Sequence, residues 1–532
     1  MMIMTAIKLA QRMGQLGTES AFEVLARAKA MEAAGTKVIH LEIGEPDFPT
    51  ADHIVTAAID ALRAGHTHYV PAPGIPQLRE TVAAFLDRTG RLRADPDRVI
   101  VTPGAKPIMF FTIMALCGPG DEVLYPDPGF PMYESITAFA GATPVPLPLR
   151  EADGFRVNIE ELKTLISKRT KLLVLNTPHN PCGSALTEAD CAAIAEIALE
   201  RDLIVLTDEV YWALRYGAGR PASVLDVPGM ADRTILLDGW SKTYAMTGWR
   251  LGFGVFPPAL VEPVTRLAIN SVSCTSAFSQ YAAIAALDGP QDPVADMLAE
   301  FRRRRDVIVS GLNDIPGVSC VEPDGAFYAF PNITGTGLSS AELARRLLDD
   351  AGVAVLPGTA FGRHGEGYLR FSYANSVENI QAALEAMRGV LLPGLRVCDK
   401  PGRRAAGLVD AVLQPLGDDG PRARGRRQRD RERAGRGRAD GRGGGAGADP
   451  AGVLQHERDL LLGGGVHAGQ RALELELAVV RADARLDRLS GRVAIGEWRR
   501  VDGAAGPGDR RRRGAGGCRR RRGRVRGARA AA

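Results

Sequence analysis

"LIVLTDEVYW", Leu203 to Trp212, is an apolar run of strand length that stops abruptly at two carboxylates and then offers two aromatics. Leu203 to Leu206 carry no polar residue between them, so the strand they predict is covered on both faces, as in a parallel sheet held between helices. Asp208 then falls at a strand end. In open sheets of that kind ligands bind beyond the carboxyl ends of the strands, which makes the residues after each strand the ones to inspect.

Five further runs flank this one between Asp97 and Val255: "RVIVT" (98–102), "DEVLY" (121–125), "KLLVLN" (171–176), "TILLDG" (234–239) and "LGFGV" (251–255). Helical patterns separate them, such as "TEADCAAIAEIALERD" behind a threonine cap at Thr187. The expected fold is α/β, with a mostly parallel sheet between helices in a large domain and a smaller α+β domain beside it. The expected limits are 1–45 for an N-terminal segment of the small domain, 46–290 for the large domain and 291–395 for the rest of the small domain.

The strand ends are chemically unusual. "RVIVT" runs into Pro103-Gly104-Ala105-Lys106, "DEVLY" into "PDPGFPMY", "KLLVLN" into "TPHNPCG", "LIVLTD" into Glu209 and Tyr211, and "TILLDG" into Ser241 and Lys242. Five successive ends thus present a glycine turn, an aromatic, an amide, a carboxylate and a lysine. A glycine turn opening a helix binds phosphate through free amides, and a carboxylate at a partly buried rim partners a protonated ring nitrogen. Lysine attacks carbonyls when desolvated or near another cation, and Arg250 lies eight positions beyond Lys242. Taken singly each has a plainer alternative: Asp208 as a helix cap, Asn180 in an Asx turn before Pro181, Tyr211 as core packing and Lys242 as a solvated loop residue.

Composition divides the 532-residue chain. Arg396 to Ala532 carries 33 Lys+Arg against 17 Asp+Glu, a net +16, and leaves −11 for Met1 to Leu395. After Leu395 there is no Phe, Tyr, Thr, Asn or Met, and Arg, Gly and Ala dominate. Such a segment buries too little apolar surface to offset its ordering entropy, so residues 396–532 are expected to be a low-complexity basic tail without stable structure, apart from a helical pattern over Arg471–Leu489. A nucleic-acid-binding arm, a linker and an unselected reading frame compete for it. The last is favoured, because Lys400 is the tail's one lysine among its arginines, and no nucleic-acid partner is expected. The seven scattered cysteines form no CxxC pair, which argues for a reducing compartment and against a metal site. "MMIMTAIKLAQRMGQ" lacks a signal-peptide pattern and no apolar run reaches bilayer length, so a soluble cytoplasmic protein without membrane partners is expected.

A phosphate turn, an acid for a ring nitrogen, donors for a phenolate and a lysine for an aldehyde together describe pyridoxal 5'-phosphate. From about Ala21 to Leu391 the chain resembles the fold type I, class I/II aminotransferases, on "LEIGEPDF", "THYVPAPGIPQLRE", "TPGAK", "NTPHNPCG", "TDEVYW", "DGWSKTYAMTGWRLGF", "GAFYAFPN" and "YLRFSYANS" in that order. The resemblance implies that Lys242 forms the Schiff base with the cofactor and shuttles the proton. It implies that Asp208 keeps the ring nitrogen protonated, that Asn180 and Tyr211 bind the ring's O3′, and that Phe130 stacks on the ring. Gly104, Ala105, Lys106, Ser241 and Arg250 would surround the phosphate, joined by Tyr69 from a neighbouring subunit of a homodimer. Arg370, with Asn180 and the backbone at Gly44, would hold the substrate α-carboxylate. Cys182 and Gly239 stand where many relatives carry Thr and a phosphate-binding Ser.

The resemblance implies a ping-pong aminotransferase acting on an L-amino acid and a 2-oxo acid, with 2-oxoglutarate and glutamate as one pair. A C–S β-lyase on the same scaffold and an aminotransferase-like regulator with a nucleic-acid-binding tail are the alternatives.

Overall fold

The computed structural model describes residues 7–392. The expectation for 396–532 lies outside these residues. Seven strands form the central sheet: β1 (Val99–Thr102), β2 (Glu122–Asp127), β3 (Thr143–Pro148), β4 (Thr170–Asn176), β5 (Ile204–Asp208), β6 (Thr234–Gly239) and β7 (Gly252–Val255). Their order across the sheet is β1-β7-β6-β5-β4-β2-β3. All neighbours are parallel except β7, which runs antiparallel to both β1 and β6.

Both faces of the sheet are covered, and successive residues go to opposite sides. Leu172 and Val174 join one buried cluster with Ile108, Met109 and Phe111 of the helix Lys106–Leu116, whereas Leu173 and Leu175 join another with Ile194 and Ala198 of the helix Glu188–Glu200. This period of two inside an unbroken apolar run is what a doubly covered strand requires. Thr187 caps the Glu188–Glu200 helix in a reciprocal box with Asp190.

The six expected strands are all present; β3 was not anticipated. Its sequence, "TPVPLP", carries proline at 144, 146 and 148, which argues against a strand. The pairing resolves the conflict. Thr143 and Leu149 donate their backbone N–H groups to Asp121 and Asp127 at β2, so the even-numbered prolines turn their missing donors away from the partner, at the sheet edge where none is needed.

Outside the central sheet, Ile39–His40 pairs in parallel with Val353–Ala354, and Tyr328–Ala329, Leu356–Pro357 and Leu369–Ser372 form a three-stranded antiparallel sheet. Phe301, Phe327, Tyr373 and Met387 fill the core beneath them, with the helices Asp292–Asn313, Ser340–Ala351 and Val377–Leu391 around it. The strand Leu369–Ser372 carries Arg370.

The antiparallel β7 has a direct consequence for the rim. Because β7 starts where β6 ends, with Gly239 opposite Gly252, the connection between them brackets one rim position with Lys242 on its way out and Arg250 on its way back. Gly252 also faces Thr102 of β1 across the sheet. A side chain at Gly252 would run into the backbone of Gly104 and Ala105, so the glycine lets the turn after β1 lie against β7.

Candidate active site

A cavity of about 610 Å³ opens at the carboxyl rim of the sheet. Gly44, Ala105, Lys106, Phe130, Asn180, Asp208, Tyr211, Ser241, Lys242, Arg250 and Arg370 all line it. Gly104 lies just behind, with φ +85°, and a Cβ there would collide with the Arg250 guanidinium. Tyr69 is elsewhere: it is 90 % exposed on the surface.

Asp208 is the end of β5 and is buried. Tyr133 donates its hydroxyl to Oδ2 at 2.7 Å, and the Val210 N–H donates to Oδ1 at 3.3 Å. Burial raises the carboxyl to about 7 against these two donors. Its own carbonyl accepts from Asn176 Nδ2 at 3.0 Å, and Asn176 Oδ1 accepts the Asn180 N–H at 2.8 Å, so β4 and β5 lock the loop that presents Asn180.

Lys242 sits on the short helix Trp240–Thr243 that follows β6. Its Nζ donates to the Gly44 carbonyl at 2.5 Å. Burial lowers its ammonium to about 8; Glu45 opposes the shift and Arg370 adds to it. Eight positions on along the same connection, Arg250 holds φ 53°, a left-handed backbone that costs a non-glycine residue about 1 kcal/mol or more. Its Nη1 donates to the Thr247 carbonyl at 2.8 Å. That strained arginine marks a position the surrounding fold over-determines.

Arg370 is buried between two rings, with its guanidinium carbon 4.5 Å from the Tyr328 centroid and 4.7 Å from that of Phe361. Nη1 donates to Asn180 Oδ1 at 3.2 Å and Nη2 to the Glu42 carbonyl, while Nε has no partner among the described residues. A buried guanidinium N–H left without an acceptor is costly unless a ligand completes it. Tyr211 and Tyr328 share a hydrogen bond between hydroxyls at 2.8 Å, and burial pushes the Tyr211 phenol well above its ordinary value.

Lys106 differs from the expectation in one respect. The helix it opens starts at the glycine turn, but its ammonium pairs with Glu19, beside the N-terminal helix Ser20–Ala33, and lies 5.6 Å from the centroid of Phe130. Its charge therefore faces the cavity mouth.

Tyr133, Asn176, Tyr328 and Glu19 belong to the site and were not singled out from the sequence. Tyr133 had a signal, since it lies one helical turn beyond Phe130 in "GFPMY", and Asn176 ends the strand "KLLVLN". Tyr328 lies within the stretch "GAFYAFPN" but far from the rim strands in the chain, and no local pattern points to Glu19.

The residues present fit pyridoxal phosphate. The cavity has the size of a cofactor site; Gly104 leaves room for a guanidinium beside a helix start, a buried carboxylate stands beside a buried lysine of lowered basicity, and an unpartnered guanidinium N–H awaits an anion.

The comparisons with known proteins agree. An aspartate aminotransferase of Pyrococcus abyssi is 43 % identical over 363 residues, covering 68 % of this chain and 93 % of that protein. An aromatic-amino-acid aminotransferase of Thermococcus litoralis is 41 % identical over 357 residues, covering 66 % and 92 %. The crystal structure of an aspartate aminotransferase from Rhizobium meliloti superposes with a TM-score of 0.70 at 36 % identity, covering 73 % of this chain and 99 % of the other. The β-lyase alternative is not favoured by these relatives. Residues 36–387 match the model of the family "Aminotransferase class I and II", and the chain belongs to that family as a pyridoxal-phosphate-dependent transaminase.

Proposed function

We propose that this transaminase works through Lys242, Asp208 and Arg370, on an L-amino acid and a 2-oxo acid, with glutamate and 2-oxoglutarate as one pair. What supports the reading is the convergence of these three buried groups on one cavity from β5, the β6–β7 connection and the strand Leu369–Ser372. Arg250, Ser241 and the amides of Gly104 to Lys106 would hold the cofactor phosphate. Asp208 would hold the protonated ring nitrogen, Asn180 and Tyr211 would bond the ring oxygen, and Phe130 would pack against the ring. When bound, the cofactor supplies an electron-withdrawing ring that accepts the negative charge developed at the substrate α-carbon.

The remaining steps belong to the chain. Arg370 offers its unpartnered Nε to the α-carboxylate while Asn180 and the Glu42 carbonyl hold the other two nitrogens in place. The fork fixes how the substrate is turned, and so which bond at the α-carbon breaks. Lys242, neutral in an appreciable fraction because burial lowers its basicity, takes the proton from the α-carbon and returns it as an ammonium. Tyr328 joins Tyr211 to Arg370, its hydroxyl bonded to Tyr211 and its ring against the Arg370 guanidinium, and so fixes the position of that guanidinium.

Lys106 is the cation left for the far end of the substrate. Among the described residues its ammonium pairs with Glu19 alone, and it is half exposed, so a second carboxylate can exchange with Glu19. The relatives named for aspartate and for aromatic amino acids differ in the side chain they are named for. A panel of amino donors against 2-oxoglutarate tests the reading: glutamate, aspartate, alanine and an aromatic donor, on the wild type and on Lys106→Ala. The variant is expected to raise KM for 2-oxoglutarate by about five- to tenfold, a loss of about 1 kcal/mol at an exposed pair, and to leave alanine within about twofold. An equal rise for every donor would return Lys106 to the phosphate.

The same proposal places the protein in the cytoplasm as a homodimer, in which the exposed Tyr69 reaches the phosphate of the neighbouring site. Among the described residues no helix is long and apolar enough to cross a membrane. Light scattering reports the dimer. Tyr69→Phe is expected to weaken cofactor binding several-fold without changing the mass; a monomer of full activity would sink this part.

A further inference from the structure

A second buried charge cluster lies directly behind the site. Arg91 is 4 % exposed and reaches it from the turn after the helix Pro76–Arg88. Its Nη1 donates to Asp238 Oδ2 at 2.6 Å and its Nη2 to Glu209 Oε2 at 2.9 Å, with the guanidinium carbon 4.4 Å from the Trp212 ring centroid. The other carboxylate oxygens are also satisfied. Glu209 Oε1 accepts from Ser223 Oγ at 2.6 Å and Thr207 Oγ1 at 3.1 Å, and Asp238 Oδ1 accepts the Gly239 N–H at 2.6 Å.

The location gives the cluster its meaning. Glu209 is the residue after Asp208 at the end of β5, and Asp238 is the last residue but one of β6, two positions before the helix that carries Ser241 and Lys242. Three carboxylates, at 208, 209 and 238, are thus buried at two neighbouring strand ends, and the guanidinium of Arg91 is bonded to two of them. A buried ion pair of this kind is weak evidence for stability, since an apolar replacement of the whole set often serves as well. The cluster lies instead where its charge bears on the neighbouring buried carboxylate, Asp208.

We propose that Arg91 is a positioning residue of the cofactor site, whose charge offsets Glu209 and Asp238 so that the adjacent Asp208 carries the negative charge that the cofactor ring requires. The inference rests on the reading of Asp208 given above. The charges of Asp238 and Glu209 both disfavour ionisation of Asp208, after burial itself, and Tyr133 and the Val210 N–H favour it. The other titratable groups around the cluster are Tyr211 beside Asp208, Cys191 on the helix Glu188–Glu200 near Glu209, and Tyr244 with Arg88 near Asp238. None of these supplies a cation within salt-bridge distance of Asp238 or Glu209, which leaves that to Arg91.

The test is a cofactor titration of the full-length apoprotein from pH 6 to 9, followed by protein fluorescence and checked by thermal melting. The variants are Arg91→Met, Arg91→Lys, the charge-balanced pair Arg91→Met with Asp238→Asn, and Asp208→Asn as reference. Arg91→Met is expected to weaken cofactor binding at pH 7 by tenfold or more. The loss shrinks toward pH 9, because a carboxyl made harder to ionise still ionises there. Arg91→Lys keeps the charge and stays within about threefold of wild type, and the charge-balanced pair recovers most of the affinity.

Should Arg91→Met fail to fold, Arg91→Lys and the charge-balanced pair decide the matter. A folded Arg91→Met with wild-type affinity and pH profile overturns the proposal, as does a charge-balanced pair no better than the single variant, or a loss equal at every pH. If Asp208→Asn binds like wild type, the assignment of Asp208 itself has failed; if only Asp208→Asn is weak, Asp208 stands and Arg91 falls.

Discussion

Lys242→Ala is expected to lower transamination turnover by at least about ten-thousandfold, at the upper end of what a positioned acid–base group contributes, while the variant still binds the cofactor through Arg250 and Asp208. The reason is that no second base stands at the same place. Lys242 is held on the rim by the Gly44 carbonyl at 2.5 Å, and among the other cavity cations Lys106 is engaged by Glu19 at the mouth while Arg250 and Arg370 are bonded to the Thr247 carbonyl and to Asn180. Borohydride reduction of the loaded wild type, followed by peptide mass mapping, should place the cofactor on Lys242, and the same treatment of Lys242→Ala should give no adduct. Full turnover in the variant, or an adduct on another lysine, would remove the central assignment.

A pH dependence accompanies this. An ordinary lysine, at 10.5, leaves only about 0.03 % of the amine neutral at pH 7, whereas one lowered by burial to about 8 leaves about 10 %. Only the neutral amine is nucleophilic, so the rate at which the apoprotein captures the cofactor should rise with pH and level off above about 8. A rise that continues to pH 10 would show that burial does not depress this group.

Arg370→Met is expected to lower kcat/KM for the amino acid and for the 2-oxo acid by the same factor, since both carry the α-carboxylate. Removing one side of a buried, charge-assisted pair costs about 2–5 kcal/mol, or roughly 30-fold to a few thousandfold. Arg370→Lys should recover little of this. A lysine keeps the charge but loses the planar fork that bonds Asn180 and the Glu42 carbonyl and lies between Tyr328 and Phe361. Steady-state kinetics with varied donor and acceptor distinguishes the outcomes: a loss confined to one substrate would mean that Arg370 reads the side chain instead of the shared carboxylate. Cofactor affinity, measured in parallel, should change little.

Much of the architecture was legible because it depends on local patterns. Leu203–Leu206 and Leu172–Leu175 are apolar without a break, which implies strands covered on both sides, and their polar ends imply a rim with chemistry on it. Asp208, Lys242 and the Gly104 turn were therefore found at the ends of the expected strands, and the cavity brings them together. The "TPVPLP" strand was hidden because proline argues against pairing unless one knows which side of the strand faces a partner, and the edge position is a property of the sheet.

What the sequence determined by itself is the kind of fold and the set of reactive residue types, since both follow from the spacing of apolar and polar side chains along a few strands. Tertiary structure decided the rest. The antiparallel course of β7 returned Arg250 to the rim beside Lys242; the glycine at 252 let the phosphate-type turn close on it. Glu19 reached Lys106 across 87 residues, Arg370 reached Asn180 across 190, and Arg91 reached Asp238 across 147. Such contacts have no local signature, because their energy comes from burying a charge beside its partner, and burial exists only once the chain has folded.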